Sequence, residues 1–542
     1  MNTAELVGRT LAGLGAARAF GVVGSGNFEV TNALRAGGVP FVATRHECGA
    51  ATMADAYARM SGRLALVTTH QGCGLTNALT GIGEAAKSRT PLIVLAADVA
   101  SSAVRSNFRI DQDAAVTAVG AVTERVHSAA TAAADTMRAY RTAVHERRTV
   151  VLNLPLDVQH QQAQPTEVRK PAAPYPIRAD QAAVGELAAA IGAASRPVFI
   201  AGRGARTAGA ELRELAARSG ALLATSAVAN GLFHGDPWAL GICGGFASPV
   251  AAELIAAADL VVGWGCALNM WTTRHGRLIG PAATVAQVDL EPAALGAHRP
   301  VDLGVLGDAA HTARDALAEV EPAPRYRTDE VRARIAATVR WRDVPFQDAS
   351  TADRIDPRRL SVRLDELLPA ERIVAVDSGN FMGYPSVYLS VPDEFGFCFT
   401  QAFQSIGLGL ATAAGAALAR PDRLAVAALG DGGALMSVAE LDTVVRLGLP
   451  MVIVIYNDDA YGAEVHHFGP DGADLDTVRF PDTDIAAIGA GFGAATATVR
   501  TEADLGALTA WLAGPLDRPL LLDAKITSDG GSWWLAEAFR GH

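Results

Sequence analysis

Residues 424–462, LAVAALGDGGALMSVAELDTVVRLGLPMVIVIYNDDAYG, contain the pattern that decides the fold. An apolar run (residues 424–429) ends at a glycine-rich turn that contains Asp431, and a helical segment follows. A second apolar run (residues 451–456) ends at the polar sequence Asn-Asp-Asp, which includes Asp458. A strand, a helix and a strand in this order form a parallel pair, and the carboxyl ends of parallel strands meet at one edge of a sheet. We therefore predict that the two polar turns lie side by side.

These two turns have the composition of a site for a metal and a diphosphate. Glycines let a phosphate approach backbone N–H groups, and a helix N-terminus favours negative charge. Asp431 and Asp458 would supply the hard oxygen ligands that Mg²⁺ prefers. The alternative is an ordinary connection between strand and helix, because glycine-rich turns with one acidic residue are common in α/β proteins.

The composition is that of a large globular protein, and it argues against several classes of partner. Half of the 542 residues are hydrophobic and 19% are charged, so substantial cores can form. The formal net charge is −11 and there are only three lysines, which argues against binding to nucleic acid or to a membrane surface. Five cysteines without CxxC spacing argue against a disulfide framework or a structural zinc site.

The N-terminal segment predicts a helix that is capped by Asn2 or Thr3 and has Glu5 in its first turn. It lacks the basic leader and the continuous apolar core of a secretory signal peptide. Apolar runs elsewhere have the length of strands or are interrupted by glycine and charge, so we expect no transmembrane helix. Together with the cysteine pattern, these features predict a cytoplasmic protein.

Two polar, proline-containing stretches, residues 160–178 and 341–358, have the character of interdomain linkers. They divide the chain into three predicted domains, residues 1–165, 180–340 and 355–530. In each domain, apolar runs alternate with alanine-rich helical segments, which predicts an α/β fold of three doubly wound parallel sheets with helices on both faces. Residues 63–96 follow the same order of strand, glycine-rich turn, helix and strand as residues 423–455, so the first and third domains look like copies of one unit.

Two motifs resemble the superfamily of thiamine diphosphate (ThDP)-dependent 2-oxo acid decarboxylases and carboligases, in particular acetolactate synthase large subunit and benzoylformate decarboxylase. One is the Gly-Asp-Gly of residues 430–432, followed 27 residues after its Asp by a second oxygen ligand. The other is RHECGAATMADAYAR, residues 45–59, which resembles the family segment with a glutamate that acts on the aminopyrimidine ring. The resemblance implies a pyrimidine-binding domain, a middle domain and a diphosphate-binding domain, with ThDP and Mg²⁺ as cofactors.

The resemblance also assigns residues to the cofactor site. The implied metal ligands are Asp431, Asp458 and the carbonyl of Ala460, where Asp458 replaces the usual Asn of the family. Glu47 would act on the aminopyrimidine ring, and a solvated helix-cap glutamate is the alternative. Ile406 would be the apolar wedge that bends ThDP, with a plain core residue as the alternative. The other implied cofactor-binding residues are Gly379, Asn380, Gly430, Gly432, Gly433, Tyr461 and Gly462.

Five further residues are candidates for catalysis or substrate recognition. Ser25 and His70 lie where benzoylformate decarboxylase has an active-site Ser and His. A His in such a loop can relay protons near neutral pH, or it can simply bond to backbone carbonyls. Gln112 resembles a Gln of acetolactate synthases. Glu464 and His467 share one helix face at positions that the family directs at the substrate, which implies a polar substrate or acceptor, an extra acid/base pair, or only an exposed helix turn.

The overall resemblance implies decarboxylation of a 2-oxo acid and ligation of the activated aldehyde to a second carbonyl, as in acetolactate synthase. Simple decarboxylation, which His70 favours, and a non-catalytic cofactor-binding role are the alternatives. A lone Gly-x-Gly at residues 202–204 leaves FAD as an option without other support. The family architecture also implies that Glu47 of one subunit faces Asp431 of another, so we expect a homodimer or homotetramer with active sites at the dimer interface.

Overall fold

Three six-stranded parallel sheets, each with helices between its strands, make up the protein. The computed structural model describes residues 1–166, 168–528, 532–538 and 540. The predicted α/β class of three doubly wound parallel sheets is confirmed. We call each sheet with its helices the first, middle and third domain, and the boundaries at residues 165, 180, 340, 355 and 530 stay predictions.

In the first domain, the strand order is β2-β1-β3-β4-β6-β5. Its first helix is capped by Asn2, whose side chain accepts a hydrogen bond from the Glu5 N–H, while the Glu5 carboxylate accepts one from the Asn2 N–H. The elements are α1 (Thr3–Gly13), β1 (Arg18–Gly21), α2 (Phe28–Ala36), β2 (Phe41–Ala43), α3 (Glu47–Ser61), β3 (Ala65–Thr69), α4 (Cys73–Lys87), β4 (Leu92–Asp98), α5 (Gln112–Ala118), β5 (Val122–Arg125), α6 (Ala132–His145), β6 (Thr149–Pro155) and α7 (Leu156–Gln159).

The middle domain has the strand order β12-β11-β10-β7-β8-β9. Its two central neighbours, β7 and β10, are the first and fourth strands of the domain, which is the arrangement of doubly wound dinucleotide-binding sheets. The elements are α8 (Gln181–Ala193), β7 (Pro197–Ala201), α9 (Gly209–Ser219), β8 (Leu222–Thr225), β9 (Ala239–Ile242), α10 (Pro249–Ala256), β10 (Leu260–Trp264), β11 (Thr284–Asp289), β12 (Leu303–Leu306), α11 (Ala309–Glu319) and α12 (Asp329–Thr338).

The third domain repeats the topology of the first, because its order β14-β13-β15-β16-β18-β17 is the same when the strands are counted within the domain. The elements are α13 (Pro357–Leu367), β13 (Arg372–Val376), α14 (Gly383–Tyr388), β14 (Phe397–Phe399), α15 (Gly409–Ala419), β15 (Leu424–Gly430), α16 (Asp431–Met436), α17 (Glu440–Arg446), β16 (Met451–Asn457), α18 (Gly462–Phe468), α19 (Ile485–Phe492), β17 (Ala495–Val499), α20 (Gly506–Leu512), β18 (Leu520–Lys525) and α21 (Trp533–Ala538).

Helix packing joins the first and third domains within one chain. Helix α15 of the third domain lies against α3 of the first, and both helices are rich in small residues. The approach is close enough that a Cβ at Gly415 would lie 2.2 Å from the carbonyl oxygen of Met53. The two helices also contribute to one shared hydrophobic core. The relative placement of the two domains is therefore set by tight packing of small side chains.

The two predicted apolar runs, residues 424–429 and 451–456, are strands that end one residue later than predicted. Strand β15 extends to Gly430 and β16 to Asn457. All seven residues of β16 are buried, which explains its continuous apolar pattern, since helices cover both faces of the sheet. In the described part of the chain, no helix has the length and apolar character needed to cross a membrane.

Candidate functional site

A cavity of about 1280 Å³ opens where β13, β15 and β16 end. This is the sheet edge to which the two polar turns were assigned. Twelve residues of the predicted site line the cavity. They are Gly379, Asn380, Ile406, Gly430, Asp431, Gly432, Gly433, Asp458, Ala460, Tyr461, Gly462 and Glu464.

The position of the cavity follows from the topology of the third sheet. Strands β13 and β15 are neighbours, but the chain passes from β13 to β14 on one side before it returns to β15 on the other. In open α/β sheets, ligands bind at such a switch point, outside the carboxyl ends of the strands. Asn380 follows β13 and Asp431 follows β15, so the topology brings the two predicted cofactor-binding segments together.

Several cavity positions accept only glycine, because neighbouring atoms leave no room for a side chain. A Cβ at Gly433 would lie 2.4 Å from Asp377 Oδ2, and a Cβ at Gly432 would lie 2.5 Å from the Tyr461 ring. Gly379 has a φ of +138°, which residues with a side chain rarely adopt. The backbone on both sides of the switch point can therefore come close to a ligand, as binding of a diphosphate requires.

Asp431 and Asp458 form a buried acid pair in this cavity. Burial raises the pKa of Asp431 to about 7, and the negative charge of Asp458 adds to this effect. Burial also raises the pKa of Asp458 to about 6, together with the charge of the neighbouring Asp459. Both carboxyl groups resist ionisation, and a bound cation would stabilise their charged forms.

The chemistry of the donors fits a divalent cation. Asp431, Asp458 and Ala460 all line the cavity. Asp458 Oδ2 lies against Gly462, where a Cβ would be 2.4 Å away, so the glycine makes room for the carboxylate. The described residues contain no group of three or more His, Cys, Asp or Glu side chains that could hold a metal. Mg²⁺ is commonly bound by one or two carboxylates together with phosphate oxygens and water.

Asp377 holds the segment that carries Ile406, and the sequence reasoning did not single it out. Its carboxylate is fully buried and accepts hydrogen bonds from the N–H groups of Ser378 (2.8 Å), Gly407 (3.0 Å) and Leu408 (3.2 Å). Burial nevertheless raises the pKa of Asp377 to about 6. Ile406 directly precedes this turn and lines the cavity. The usable sequence signal was the position of Asp377, directly after the end of β13.

Glu47 is the first residue of α3 and is 8% exposed. The cap of this helix is His46, and Asn77 on α4 donates a hydrogen bond of 3.1 Å to Glu47 Oε2. A Cβ at Gly74 would lie 3.2 Å from Glu47 Oε1 and 3.2 Å from the Cβ of His70. Glu47 is therefore a buried carboxyl group beside a titratable ring, which differs from the alternative of a solvated cap.

Ser25 and His70 follow β1 and β3, at the switch point of the first sheet. The Gly26 N–H donates a hydrogen bond of 3.2 Å to His70 Nδ1, which leaves the ring proton on Nε2 when the ring is neutral. The ring packs edge-on against Phe108, with centroids 5.1 Å apart. Partial burial lowers the pKa of His70, and the charge of Glu47 opposes this shift. His70 is therefore neutral at pH 7, while the Ser25 side chain is exposed beside it.

The Gln112 side chain is buried and its amide is occupied by the protein. Its Oε1 accepts a hydrogen bond from the Gly72 N–H at 2.9 Å, and its Nε2 donates to the Ala97 carbonyl at 3.2 Å and to Asn153 Oδ1 at 2.7 Å. Gly72 has a φ of +63° and begins the turn that reaches Gly74 beside Glu47. Gln112 therefore supports this turn through a hydrogen bond to Gly72. It does not line the cavity that contains Asp431.

Glu440 reaches from α17 of the third domain to the beginning of α3. Its carboxylate, 2% exposed, accepts hydrogen bonds from the N–H groups of His46 (2.9 Å) and Arg45 (3.2 Å) and from the Thr443 hydroxyl (2.7 Å). Burial raises the pKa of Glu440. Because Glu47 comes next in the chain, a carboxylate of the third domain positions the candidate acid of the first. Nothing in the sequence indicated this contact.

Glu464 and His467 lie on α18, in the short helix that the sequence predicts. Glu464 lines the cavity, and His467 is not among its lining residues. The Glu464 carboxylate makes no hydrogen bond or ion pair to any residue that the structure describes. Trp271 and Asn269 of the middle domain line the same cavity. The cavity is therefore lined by Glu464, which directly follows the metal loop, and by two residues of the middle domain that are distant in the sequence.

The Gly-x-Gly turn of the middle domain also borders the cavity. Its N–H groups are used within the protein, since Gly202 donates to the Trp264 carbonyl at 2.8 Å and Gly204 donates to the Gly265 carbonyl at 3.0 Å. A Cβ at Gly202 would lie 2.3 Å from that Gly265 oxygen. These glycines permit two loops to pack closely, and the N–H groups of both glycines are already used within the protein.

The predicted constellation is divided within one chain. Glu47, His70, Ser25 and Gln112 do not line the cavity that contains Asp431. The first three gather at the carboxyl edge of the first sheet, and the metal loop lies at the equivalent edge of the third. One chain therefore carries two incomplete halves of the same predicted site.

Family models match each of the three domains. The N-terminal TPP (thiamine pyrophosphate, another name for ThDP) binding domain of thiamine pyrophosphate enzymes matches residues 1–118. The central domain of these enzymes matches residues 184–316, and their C-terminal TPP binding domain matches residues 377–524.

Curated relatives are similar over most of their length. The chain is 29% identical to sulfoacetaldehyde acetyltransferase from Alcaligenes xylosoxydans xylosoxydans, over 86% of this chain and 82% of that protein. It is 30% identical to a probable 2-ketoarginine decarboxylase from Pseudomonas aeruginosa (85% and 83%). It is 27% identical to a probable acetolactate synthase large subunit from Methanocaldococcus jannaschii (85% and 81%). The chain belongs to the family of thiamine pyrophosphate enzymes, in agreement with the resemblance that its motifs show.

Proposed function

We propose that the protein uses ThDP and Mg²⁺ to decarboxylate a 2-oxo acid and to ligate the activated aldehyde to a second carbonyl. The observation that supports this most is the cavity at the switch point of the third sheet, where the buried Asp431 and Asp458 lie beside a glycine-rich turn. When it is bound, ThDP supplies the electron sink for decarboxylation. The protein supplies metal binding, orientation and a path for protons.

The third domain would hold the diphosphate end of the cofactor. Asp431, Asp458 and the Ala460 carbonyl are the proposed Mg²⁺ ligands. Proposed contacts to the diphosphate and the rest of the cofactor come from Gly379, Asn380, Gly430, Gly432, Gly433, Tyr461 and Gly462. Ile406, which is held in place by the turn that Asp377 anchors, would press against the cofactor and set its bend.

The first domain would carry the residues that transfer protons. Glu47 is the proposed acid that exchanges a proton with the aminopyrimidine ring, and the bond from Asn77 orients its carboxyl group. Neutral His70 carries its proton on Nε2, and the ring can take up a second proton and then pass one to a reacting group. Ser25 would lie beside His70 at the entrance of the active site. Gln112 would act indirectly, because it fixes the turn that adjoins Glu47.

The divided constellation supports an active site shared between two subunits. In a homodimer, Glu47 of one chain would complete the cavity that contains Asp431 of the other. Exposed apolar side chains occur on both halves, as an interface requires. They include Val23, Phe28 and Phe108 in the first domain and Met436, Tyr461 and Phe480 in the third. A homotetramer would contain two such dimers.

A cytoplasmic location agrees with the state of the cysteines. All five are free thiols, and three of them are buried. Disulfides form mainly in oxidising compartments, so free, buried thiols support the reducing cytoplasm as the proposed location.

Simple decarboxylation is the second candidate, and His70 favours it. The His70 ring next to Glu47 can take up a proton and then deliver it to the reacting carbon, which would release an aldehyde. A relative named as a 2-ketoarginine decarboxylase also supports this reaction. We prefer ligation because the chain as a whole resembles acetolactate synthase, and one of the similar relatives is named as a probable acetolactate synthase large subunit.

Glu464 supports a polar group on the substrate or acceptor. Glu464 lines the cavity, and its carboxylate has no partner among the described residues. A half-buried carboxylate gains from a hydrogen-bond donor or a cation. We therefore propose a substrate or acceptor that carries a donor group such as an amine, an amide or a guanidinium. His467 lies on the same helix and would assist from outside the cavity lining.

Product analysis separates the two reactions. The full chain is incubated with ThDP, Mg²⁺ and pyruvate or another 2-oxo acid, with and without an added aldehyde, and CO₂ and products are followed by NMR. A ligated hydroxyketone or hydroxy acid is expected. Free aldehyde as the only product, with every acceptor tried, would assign the protein as a decarboxylase. Absence of CO₂ from the whole panel, with ThDP bound, would contradict both candidates.

A further inference from the structure

A buried lysine lies behind the proposed metal loop. Lys525 is the last residue of β18 and is 2% exposed. Its ammonium group lies 2.5 Å from Asp482 Oδ1, 3.3 Å from Asp523 Oδ2 and 3.9 Å from Asp459 Oδ1. It also donates a hydrogen bond of 3.1 Å to the Thr483 carbonyl. A charged lysine is buried to this extent only when it is paired, and three carboxylates surround this one.

A second cation approaches the same loop from the other side. The Arg354 guanidinium forms an ion pair with Asp459 Oδ2. The same guanidinium donates hydrogen bonds to the carbonyls of Ile526 (3.1 Å) and Asn457 (3.4 Å). The two carboxylate oxygens of Asp459 thus face different cations, Lys525 on Oδ1 and Arg354 on Oδ2.

Asp459 has a backbone conformation that is unusual for a residue with a side chain. Its φ is +54°, in the left-handed region that Asp and Asn tolerate better than most residues. Its N–H donates to Asn457 Oδ1 at 3.1 Å, and its carbonyl accepts a hydrogen bond from the Phe480 N–H at 2.8 Å. At this turn, Asp458 and Ala460 line the cavity while Asp459 is directed at the two cations behind it.

We propose that Lys525 and Arg354 are positioning residues for the metal site, which act by holding Asp459 away from the cavity. This inference rests on the proposed Mg²⁺ site. The two cations fix the left-handed turn, so that the Asp458 carboxylate and the Ala460 carbonyl point at the same centre. They also neutralise a third carboxylate next to the acid pair, which would otherwise compete for the ion or turn towards it.

Residues 478–483 pack against the other side of the turn, and the same lysine contacts this segment. The Tyr461 N–H donates to the Val478 carbonyl at 2.9 Å, and the rings of Tyr461 and Phe480 pack edge to face, with centroids 4.9 Å apart. Lys525 contacts Asp482 and Thr483 at the end of this segment. One buried ammonium group therefore restrains both the metal loop and the segment that covers it.

The test is the Mg²⁺ dependence of ThDP binding, measured by calorimetry on the full chain. Lys525→Met and Arg354→Gln remove one cation each. In either variant we expect the Mg²⁺ concentration for half-saturation to rise about tenfold or more, the usual effect of removing an outer-shell partner. At saturating Mg²⁺, ThDP affinity should change much less. Arg354→Lys retains the charge and should recover most of the Mg²⁺ affinity.

Arg359→Gln is the matched control, because it removes an arginine from an exposed ion pair with Glu502, away from the metal loop. Circular dichroism checks that each variant is folded. If Lys525→Met does not fold, the test relies on Arg354→Gln, because the Arg354 side chain is partly exposed. Unchanged Mg²⁺ half-saturation in folded Arg354→Gln overturns the inference. Absence of Mg²⁺-dependent ThDP binding in the unaltered chain would instead overturn the proposed metal site.

Discussion

Four acidic side chains at the cavity and behind it have different surroundings, and their proposed roles follow from these differences. Asp431 and Asp458 are buried together, which raises the pKa of each. Asp459 is next in the chain, but cations pair with both of its oxygens. Glu464 lines the cavity, and its carboxylate has no partner among the described residues. The pair of Asp431 and Asp458 therefore suits a metal site. Asp459 suits a structural role in the turn, and Glu464 suits recognition of a substrate.

A change at His70 should alter the pH dependence of turnover. Burial lowers the pKa of His70 below 6.5, so the neutral ring persists to lower pH and becomes charged only below that value. If turnover requires the neutral His70 ring, kcat should fall as the pH drops through this lowered pKa. His70→Ala should remove that acid limb and reduce kcat at pH 7 by about 100-fold. The measurement is CO₂ release from about pH 5 to about pH 8.

His311→Ala is the control for this profile, since His311 belongs to α11 of the middle domain, bonds to Asp308 and lies outside the cavity lining. Its profile should match that of the unaltered protein. An acid limb that survives in His70→Ala would exclude His70 as the titrating group.

A change at Glu464 should alter which substrates are preferred. With Glu464→Leu, kcat/KM for 2-oxo acids or acceptors that carry an amine or guanidinium should fall by about tenfold to 100-fold, because a charge-assisted bond is lost. Values for apolar analogues of the same length should stay the same or rise. Glu464→Gln keeps a hydrogen-bonding side chain and should show an intermediate loss. Equal losses for cationic and apolar substrates would contradict a recognition role.

At the scale of helices and strands, the start of α3 depends on a helix of another domain. Glu440→Gln removes one of the two carboxylate oxygens that accept hydrogen bonds from Arg45, His46 and Thr443. The position of Glu47 should loosen, so exchange of the C2 proton of bound ThDP should slow by about tenfold. ThDP affinity should change little. The exchange is measured by acid quench and NMR after dilution into D₂O.

Asp442→Asn is the matched control for Glu440→Gln. Asp442 pairs with the exposed side chain of Arg45, whereas Glu440 accepts hydrogen bonds from the N–H groups at the start of α3. Exchange in the control should therefore stay normal. Similar slowing in both variants would show that the surface ion pair, and not the bonds to the helix start, positions Glu47.

The sequence was sufficient for those elements that a local pattern specifies. Continuous apolar runs between glycine-rich turns marked the buried parallel strands, since both faces of each sheet are covered. The ends of β15 and β16 were predicted to within one residue, and with them the meeting of Asp431 and Asp458 in one cavity. These features depend on residues close to one another in the chain.

The parts that could not be predicted depend on pairs of residues far apart in the chain. Glu440 and His46 are 394 positions apart, and no periodicity relates a lone charged residue to a distant N–H group. The same holds for the contact of Arg354 with Asp459, 105 positions apart. The role of Gln112 in supporting the Gly72 turn could not be predicted either. A sequence does not distinguish a glutamine that contacts a ligand from one that bonds only to the backbone next to the site.

At the scale of the whole molecule, packing of α3 on α15 decides what one chain can do alone. This contact joins the first and third domains through small residues, and Glu47 does not line the cavity of Asp431 in the same chain. Both domains have the same strand order, so a dimer can pair the carboxyl edge of one sheet with the equivalent edge of the other. Two such sites would form for every two chains.

Mixing two inactive variants tests this arrangement directly. Glu47→Gln and Asp431→Ala should each be inactive alone. A mixed dimer has one site with the intact Asp431 of the first variant and the intact Glu47 of the second, while its other site carries both changes. After unfolding and refolding of an equal mixture, about a quarter of the unaltered activity should return, since half of the dimers are mixed and half of their sites are intact. Refolding each variant by itself is the control. No recovery, with dimers verified by light scattering and the unaltered chain refolded in parallel to full activity, would mean that Glu47 and Asp431 of one chain serve the same site.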